Sequence, residues 1–355
     1  ALETLRDDET IARLASGLKR FTLPDEFNPI KIYQSIIDDP KTGKAEEATV
    51  ALANVFENRR QFARAAGYWK QAKEKYGDQN GNYQARIDQI EKPWGRFESS
   101  ISRPAGRGAE FDFSFRNGRK VRFEAHRVLV DKLLKDVKDY IRGGPDQFDW
   151  QKIDVNEVGA RLVSQNQQQY LGESVAKWEL DLDPPADHFD RRITVATPLQ
   201  QAGAYLVTAQ MEGGNVGRIV AWLDDTALVR KPMAGGSFYF TADARTGAPV
   251  AGATLDLFGW RVRQVGQGNQ FTVDVKEETG RTDAQGQLTV AVANLDGNAG
   301  PFQWLAVAHA PQGRLAYLGF SPIWKIGQPS ERYDRVHVIA MTDRPVYRPG
   351  NAVKF

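Results

Sequence analysis

Residues 110–123 read Glu-Phe-Asp-Phe-Ser-Phe-Arg-Asn-Gly-Arg-Lys-Val-Arg-Phe, and this stretch decides the fold of the middle of the chain. Its first half alternates large aromatic residues with polar ones at Phe111, Phe113 and Phe115. Such alternation is typical of a strand with one buried face. Asn117-Gly118 is typical of a tight hairpin turn. Val121 and Phe123 continue the alternation after the turn, so the stretch predicts a β-hairpin whose phenylalanines lie in a core.

Basic residues surround this hairpin, at Arg103, Arg107, Arg116, Arg119, Lys120, Arg122 and Arg127. Cations interleaved with aromatic residues are also typical of a surface that binds single-stranded nucleic acid. The strict alternation, however, places the phenylalanines together on one face and leaves the cations to the turns and the opposite face. The pattern therefore favours a core with a charged surface, and no nucleic-acid partner is expected.

Further alternating runs predict strands at 175–182, 192–196, 204–209 and 218–223. About seven short strands with turn residues between them predict a β-sandwich over residues 93–235. A helical insertion at about 126–170 is expected inside it, with apolar residues at helical spacing: Val130, Leu133, Leu134, Val137 and Ile141. Gly143-Gly144-Pro145 ends that helix, and a weaker helix is expected around Val158 and Leu162.

A second β-sandwich is predicted over residues 236–325. Phe238-Tyr239-Phe240 precedes a turn-rich stretch at 243–253, and a second Asp- and Gly-containing turn lies at 282–286. Both turns use the residues that tight β connections favour. Residues 302–308 alternate again, with Phe302, Trp304, Ala306 and Ala308 on one face.

Residues 1–92 have helical periodicity. Thr10 is predicted to cap a helix with Ile11, Leu14 and Leu18 on its apolar face. Asn28-Pro29 begins a second helix that ends at Pro40. Two further apolar stripes, at 48–56 and 62–76, predict an antiparallel helix pair that ends at Gly77, and a last helix ends before Pro93. The pair resembles a tetratricopeptide-type unit, so this segment is either a helical cap or a groove that binds a protein partner.

Residues 342–350, Thr-Asp-Arg-Pro-Val-Tyr-Arg-Pro-Gly, follow an apolar run at 336–341. Each proline restricts the preceding arginine to extended geometry, and Pro349-Gly350 suits a type II turn. We expect residues 326–355 to be a linker and the truncated start of a further β domain, and therefore expect the sequence to be a fragment of a longer protein.

These nine residues closely resemble the opening of a macroglobulin-like domain in bacterial alpha-2-macroglobulins. The turns at 243–253 and 282–286 resemble those of a carboxypeptidase-regulatory or a macroglobulin-like β-sandwich, and they follow residues 222–229 as in bacterial alpha-2-macroglobulins. The resemblance implies a protein that entraps proteases after they cleave a bait segment. It implies a periplasmic, extracellular or cell-envelope location and a role in host defence. Covalent capture in that family uses a thioester of cysteine and glutamine, and this chain has no cysteine. Neither the thioester nor a bait region can be assigned here.

The composition is that of ordinary globular protein, with 41% hydrophobic and 26% charged residues. The length predicts two or three domains. A net charge of +2 indicates no general attraction to nucleic acid or to an anionic membrane. The absence of cysteine excludes disulfides and thiolate metal sites. The sequence contains neither a signal peptide nor an apolar run long enough to span a bilayer.

No catalytic, cofactor-binding or metal site is predicted. The four histidines, His126, His188, His309 and His337, are far apart and lack metal-ligand spacing. Asp181 and Asp183 share a strand face but precede two prolines, so a solvated strand end is favoured over an acid–base pair. Asp224-Asp225 point in opposite directions in an extended chain. Residues 266–268 (Gly-Gln-Gly) lack the following helix and lysine of a phosphate-binding loop.

The sequence therefore predicts an α+β multidomain protein in which helical hairpin repeats precede immunoglobulin-like, macroglobulin-like sandwiches. The favoured function is a non-enzymatic scaffold segment of an alpha-2-macroglobulin-like inhibitor, whose partners are target proteases bound by the full-length protein. The main alternative is a cell-surface or periplasmic interaction scaffold in which the helices bind a partner and the sandwiches are spacers. A third is a hydrolase whose catalytic domain lies outside this segment.

Overall fold

The computed structural model describes residues 2–39, 41–98, 101–145, 149–165, 167–233, 236–264, 271–291 and 302–322. The chain divides into two compact units, one made of Ala1–Leu134 and Glu157–Asp224 and the other of Lys135–Asn156 and Asp225–Phe355. The sequence places a boundary after residue 235, whereas this division falls between Asp224 and Asp225. The structural division also assigns residues 135–156, which are part of the helical insertion, to the second unit.

Four helices form the first part of the first unit: α1 (Pro29–Asp38), α2 (Ala45–Asn58), α3 (Phe62–Tyr76) and α4 (Asn82–Glu91). The Asn28 side chain accepts hydrogen bonds from the backbone N–H groups of Ile30 and Lys31, at 3.0 and 3.4 Å, and so caps α1. Gly77, at φ 80°, ends α3. These helices confirm the predicted starts, stops and stripes. Alanines at the contact of α2 with α3, such as Ala65 and Ala66, are buried and let large aromatic side chains pack around them.

Residues 9–22 form a hairpin of β1 (Glu9–Leu14) and β2 (Gly17–Thr22), so the helix predicted from Thr10 is wrong. The reason is local. Gly17, at φ 107°, breaks the helical pattern after barely two turns, which is too short for a helix without strong packing. Ile11 and Phe21 favour strand geometry, and paired strands satisfy the backbone groups that so short a helix leaves open.

The rest of the first unit is a β-sandwich of eight strands: β3 (Trp94–Phe97), β4 (Ile101–Pro104), β5 (Glu110–Arg116), β6 (Lys120–Val128), β7 (Leu171–Asp181), β8 (Arg191–Ala196), β9 (Gly203–Met211) and β10 (Val216–Asp224). One sheet has the order β4-β10-β9-β6-β7 and the other β3-β5-β8. Strand β4 pairs in parallel with β10, and the other neighbours are antiparallel. The two sheets share a core that contains Phe111, Phe113, Phe115 and Phe123, as predicted.

Three helices lie between β6 and β7 in sequence: α5 (Val130–Arg142), α6 (Trp150–Ile153) and α7 (Val158–Val163). They confirm the predicted helical insertion, including its stop at Gly143. The division between the units falls inside α5. Residues 150–155 belong to the second unit and contact other residues of that unit: the Tyr317 hydroxyl donates to the carbonyl of Val155 at 3.0 Å, and the rings of Trp150 and Trp260 lie 6.1 Å apart.

The described residues of the second unit form a sandwich of seven strands: β11 (Thr226–Met233), β12 (Gly236–Asp243), β13 (Thr254–Gln264), β14 (Phe271–Arg281), β15 (Gln287–Ala291), β16 (Gln303–Ala310) and β17 (Arg314–Pro322). Its sheets have the orders β11-β12-β15 and β14-β13-β16-β17. Tyr239, Leu255 and Trp304 lie in the core between them. The predicted turns are confirmed. In each one an aspartate carboxylate, Asp243 or Asp283, accepts backbone hydrogen bonds from the residues that follow.

The chain is thus an α+β protein in which helices precede immunoglobulin-like sandwiches. The predicted linker and hairpin at 326–355 lie outside the described residues, as do His337 and residues 266–268. In the part of the chain that the structure describes, no helix combines the length and the apolar character that crossing a bilayer requires.

Candidate functional site

The histidines occupy separate places and each faces a different acceptor. Nδ1 of His126 lies 3.2 Å from the carbonyl oxygen of Gly172, and Nδ1 of His188 lies 2.8 Å from Oδ1 of Asn117. His309 lies on β16, near Asp256. Within the described ranges, no group of three or more His, Cys, Asp or Glu side chains is arranged to hold a metal ion.

The aspartates considered as an acid–base pair are separate surface ion pairs. Asp181 lies 3.6 Å from Nζ of Lys120, and Asp183 lies 2.7 Å from Nη1 of Arg191. Their side chains are 88% and 92% exposed, which confirms a solvated strand end. Asp224 and Asp225 also have different partners: Asp224 accepts from the Ser102 hydroxyl and Asp225 from the Thr226 hydroxyl, both at 2.9 Å.

The basic and aromatic residues around β5 and β6 separate as the alternation predicts. Each of the four phenylalanines, Phe111, Phe113, Phe115 and Phe123, is at most 3% exposed. Three of the cations pair with carboxylates: Arg116 with Asp190 at 3.5 Å, Lys120 with Glu179 at 3.2 Å and Arg122 with Glu179 at 3.7 Å. Buried rings are not accessible for stacking against bases, so the interpretation as a core is confirmed.

A site that sequence reasoning missed lies where the loop between α2 and α3 meets the N-terminal segment. We call it the N-terminal clamp, and its side chains are those of Asn28, Arg59, Gln61 and Arg64. Arg59 is only 8% exposed, and its guanidinium donates to the carbonyls of Arg6 at 3.0 Å and Glu9 at 2.7 Å. Gln61 donates through Nε2 to the carbonyl of Leu5 at 2.8 Å. The clamp therefore binds backbone carbonyls of the N-terminal segment that leads into β1.

Two further contacts complete the clamp. Nδ2 of Asn28 donates to the carbonyl of Asp7 at 2.9 Å, so one asparagine both caps α1 and holds the segment. Arg64 forms a bidentate pair with the Asp7 carboxylate, at 2.5 and 3.0 Å, while its guanidinium stacks 3.9 Å from the ring centroid of Phe56. The hydrogen bond from Arg64 lowers the pKa of Asp7. Burial lowers the pKa of Arg59 from its usual value.

The clamp attaches the β1–β2 hairpin to the helices. Arg20 of β2 donates to the hydroxyl and to the carbonyl of Thr4, within the clamped segment. Beyond these contacts every residue of β2 is exposed, and so are Arg13 and Leu14 at the end of β1. No motif signalled the clamp, because Arg59 and Gln61 contact residues 50 to 56 positions earlier in the chain.

A second feature is an open groove between α3 and α4, lined by Lys70, Lys73, Glu74, Gln84, Ile87 and Glu91. Nζ of Lys70 lies 2.6 Å from Oε1 of Glu91, which bridges the two helices. Lys73 also bridges them through Gln84. Its lining carries charges of both signs around the apolar side chain of Ile87. The groove is therefore a candidate site for the predicted protein partner of the helices.

Comparisons with known proteins found relatives by structure only. No family model matches the chain, and no curated protein sequence matches it. Among solved structures, it is similar to native alpha-2-macroglobulin of Escherichia coli in a fragment spanning domains MG0, NIE and MG1, with 19% identity and a TM-score of 0.40, over 64% of this chain and 64% of that one.

A shorter fragment of the same protein, spanning NIE and MG1, matches with 19% identity and a TM-score of 0.40, over 65% of this chain and 97% of that one. Red sea bream transglutaminase matches with 8% identity and a TM-score of 0.31, over 68% of this chain and 34% of that one. The chain is thus similar to fragments of a bacterial alpha-2-macroglobulin, and its own sequence resembles that same family.

Proposed function

We propose that this chain is a scaffold segment of a bacterial alpha-2-macroglobulin-like, broad-spectrum protease inhibitor. The observation that carries the proposal is the nine-residue resemblance at 342–350, at the end of a chain that already builds two sandwiches in succession. The large side chains of both sandwiches fill cores. Their described surface carboxylates form ion pairs and turn hydrogen bonds, which suits a structural role.

In this proposal the full-length protein binds target proteases and entraps them after they cleave a bait segment. The segment itself supplies framework, with no catalytic step of its own. The protein acts in the periplasm or at the cell envelope. In this proposal, a bait region and any thioester belong to parts of the full-length protein outside this segment.

The test uses the full-length parent protein with a broad-specificity protease. After incubation, the protease is assayed on a small peptide substrate and on a large protein substrate. Entrapment keeps peptide cleavage and abolishes protein cleavage, because only the small substrate reaches an enclosed active site. The 355-residue chain alone is the control, and we expect it to change neither activity. Equal cleavage of both substrates after incubation with the parent would contradict the proposal.

The second candidate function is a cell-surface or periplasmic interaction scaffold. The groove between α3 and α4 favours it, because the bridged Lys70 and Glu91 offer charges of both signs to a partner. If the protease still cleaves the large protein substrate after incubation with the full-length protein, the result would favour this second function. A sequence that continues into a short stalk and an anchor, rather than into more sandwiches, would do the same.

A further inference from the structure

The β1–β2 hairpin exposes apolar side chains that the fold does not use. Leu18 is 68% exposed, more than any other large apolar side chain among the described residues, and Leu14 and Phe21 are 44% and 41% exposed. A two-stranded hairpin without a covering layer is marginal by itself. Here the N-terminal clamp holds its base, through the contacts of Arg59 with Arg6 and Glu9. The hairpin is therefore a positioned element with an exposed apolar end.

The register shows that each face of the hairpin carries an exposed apolar side chain. Arg13 pairs with Leu18 and Thr10 with Phe21. Side chains directly across an antiparallel pair share a face, and residues an odd number apart lie on opposite faces. Leu18 thus lies on one face, and Leu14 and Phe21 on the other. A protein groove or a second sheet would cover the apolar side chains of one face only. A lipid bilayer surrounds an inserted hairpin and therefore covers the apolar side chains of both faces.

The charge of the exposed end has one sign. Residues 10–23 contain Arg13, Lys19 and Arg20 and no aspartate or glutamate. Pairing places Arg13 on the face of Leu18, and Lys19, opposite Ala12, on the face of Leu14. Each face therefore carries a cation next to an apolar side chain. Long basic side chains beside apolar ones are typical of segments at a membrane interface, where the stems lie along the apolar phase and the charges reach the headgroups.

We propose that the β1–β2 hairpin is a membrane-interface site that inserts its end, residues 13–19, among the headgroups of an anionic bilayer. Arg13 and Lys19 meet lipid phosphate, and Leu14 and Leu18 enter the boundary with the acyl chains, while Arg20 stays with Thr4 and Glu9 at the base. This site is independent of protease inhibition and rests only on the residues of the hairpin.

The test uses the whole chain, which has no cysteine of its own. In a Ser16→Cys variant a polarity-sensitive fluorophore is attached at the turn of the hairpin. A second variant, Ala248→Cys, carries the same fluorophore in an exposed turn of the second unit. Vesicles of phosphatidylglycerol with phosphatidylcholine are compared with phosphatidylcholine alone. We expect a blue shift at position 16 with anionic vesicles, no shift at 248, and co-flotation that weakens at about 0.5 M NaCl because salt screens the charges.

Two sets of substitutions assign the binding to the hairpin. Arg13→Gln and Lys19→Gln should each weaken partitioning about fivefold, the usual contribution of one cation near an anionic surface. Leu14→Ser with Leu18→Ser should weaken it at least about tenfold. The matched control, Val175→Ser with Val229→Ser, changes two half-exposed valines elsewhere and should leave it unchanged.

Three results would overturn the proposal. The first is no flotation with anionic vesicles. The second is flotation without a shift at position 16, which would place membrane binding on another surface. The third is a shift that follows the concentration of the chain without vesicles, which would make a second copy the occupant of the hairpin.

Discussion

At the scale of single residues, the N-terminal clamp shows how one buried charge positions a segment. Arg59 is desolvated, and the carbonyls of Arg6 and Glu9 compensate by accepting from both of its terminal nitrogens. The Arg6 carbonyl also accepts from the backbone N–H of Glu9 at 3.0 Å, so the guanidinium holds the turn that leads into β1. The hairpin therefore depends on a side chain from a loop between two helices.

We predict that Arg59→Ala releases the base of the hairpin. Loss of two charge-assisted hydrogen bonds should lower the free energy of opening by about 2 kcal/mol. Amide hydrogen exchange of Ile11 to Phe21 measures that opening. Arg60→Ala is the control, because Arg60 is exposed, and its effect should stay below about 0.5 kcal/mol. Equal exchange in both variants would contradict a clamping role for Arg59.

A second prediction concerns pH and Asp7. Its pKa in the folded chain is lowered from an ordinary value of 3.8, chiefly by the hydrogen bond from Arg64. The unfolded state thus binds the proton more tightly, and the stabilisation is fully present above pH 3.8 and is lost as the pH falls through the folded pKa. Because the pair is about 42% exposed on each side, its contribution should be less than about 1 kcal/mol.

The measurement is release of the hairpin in urea at several pH values, followed by the fluorophore at Ser16→Cys. Asp7→Asn should lower the midpoint at neutral pH, and the difference from the parent should shrink below pH 3.8. Asp38→Asn, an exposed carboxylate on α1, is the control. A difference that persists unchanged in acid would rule out ionisation of Asp7 as the cause.

At the scale of elements, two glycine turns in the second unit differ in what surrounds them. Gly286, at φ +70°, has no room for a Cβ atom, which would lie 2.5 Å from the carbonyl oxygen of Thr241 and 3.1 Å from the nitrogen of Val250. Gly247, at φ +72°, has nothing within 4 Å of the same position. Both need a left-handed backbone, but only one is closed in by neighbouring strands.

We therefore predict different costs for the same substitution. Gly247→Ala should cost about 1 kcal/mol, the penalty of the left-handed conformation alone. Gly286→Ala should cost at least about 2 kcal/mol more, because the backbone of Thr241 or Val250 must move. Calorimetric unfolding of the second unit measures both. If the two variants lose similar free energies of unfolding, the backbone around Gly286 accommodates the added Cβ atom and the prediction is wrong.

At the scale of the whole molecule, each unit has its own core. Phe113 is fully buried in the first, and Leu255 is fully buried in the second. Units with separate cores are expected to unfold as separate cooperative steps. The division at Asp224 and Asp225, and the assignment of residues 135–156 to the second unit, define what each step contains.

We predict that core truncations act on one step each. Phe113→Ala should destabilise the first unit by about 3–5 kcal/mol and Leu255→Ala the second by about 2–5 kcal/mol, with the other step unchanged. Hydrogen exchange with mass spectrometry assigns the calorimetric steps. Phe27→Ala, at a side chain that is 67% exposed, is the control and should shift neither. A single substitution that lowers both steps equally would contradict separate cores.

Local chemistry was sufficient for most of the secondary structure. The alternation at 111–123, the cap at Asn28 and the Asp- and Gly-containing turns act within a few residues, so the sequence by itself determined the helices α1 to α5, the core strands and the absence of a base-stacking surface at Phe111 to Phe123. Only the folded chain shows the clamp and the way in which it holds the hairpin at 9–22. The partners in the clamp are distant in the chain, since Arg59 reaches Arg6 over 53 positions and Gln61 reaches Leu5 over 56. Periodicity carries no information about such partners, because a carbonyl accepts equally well from a neighbouring strand or from a guanidinium that folding brings to it.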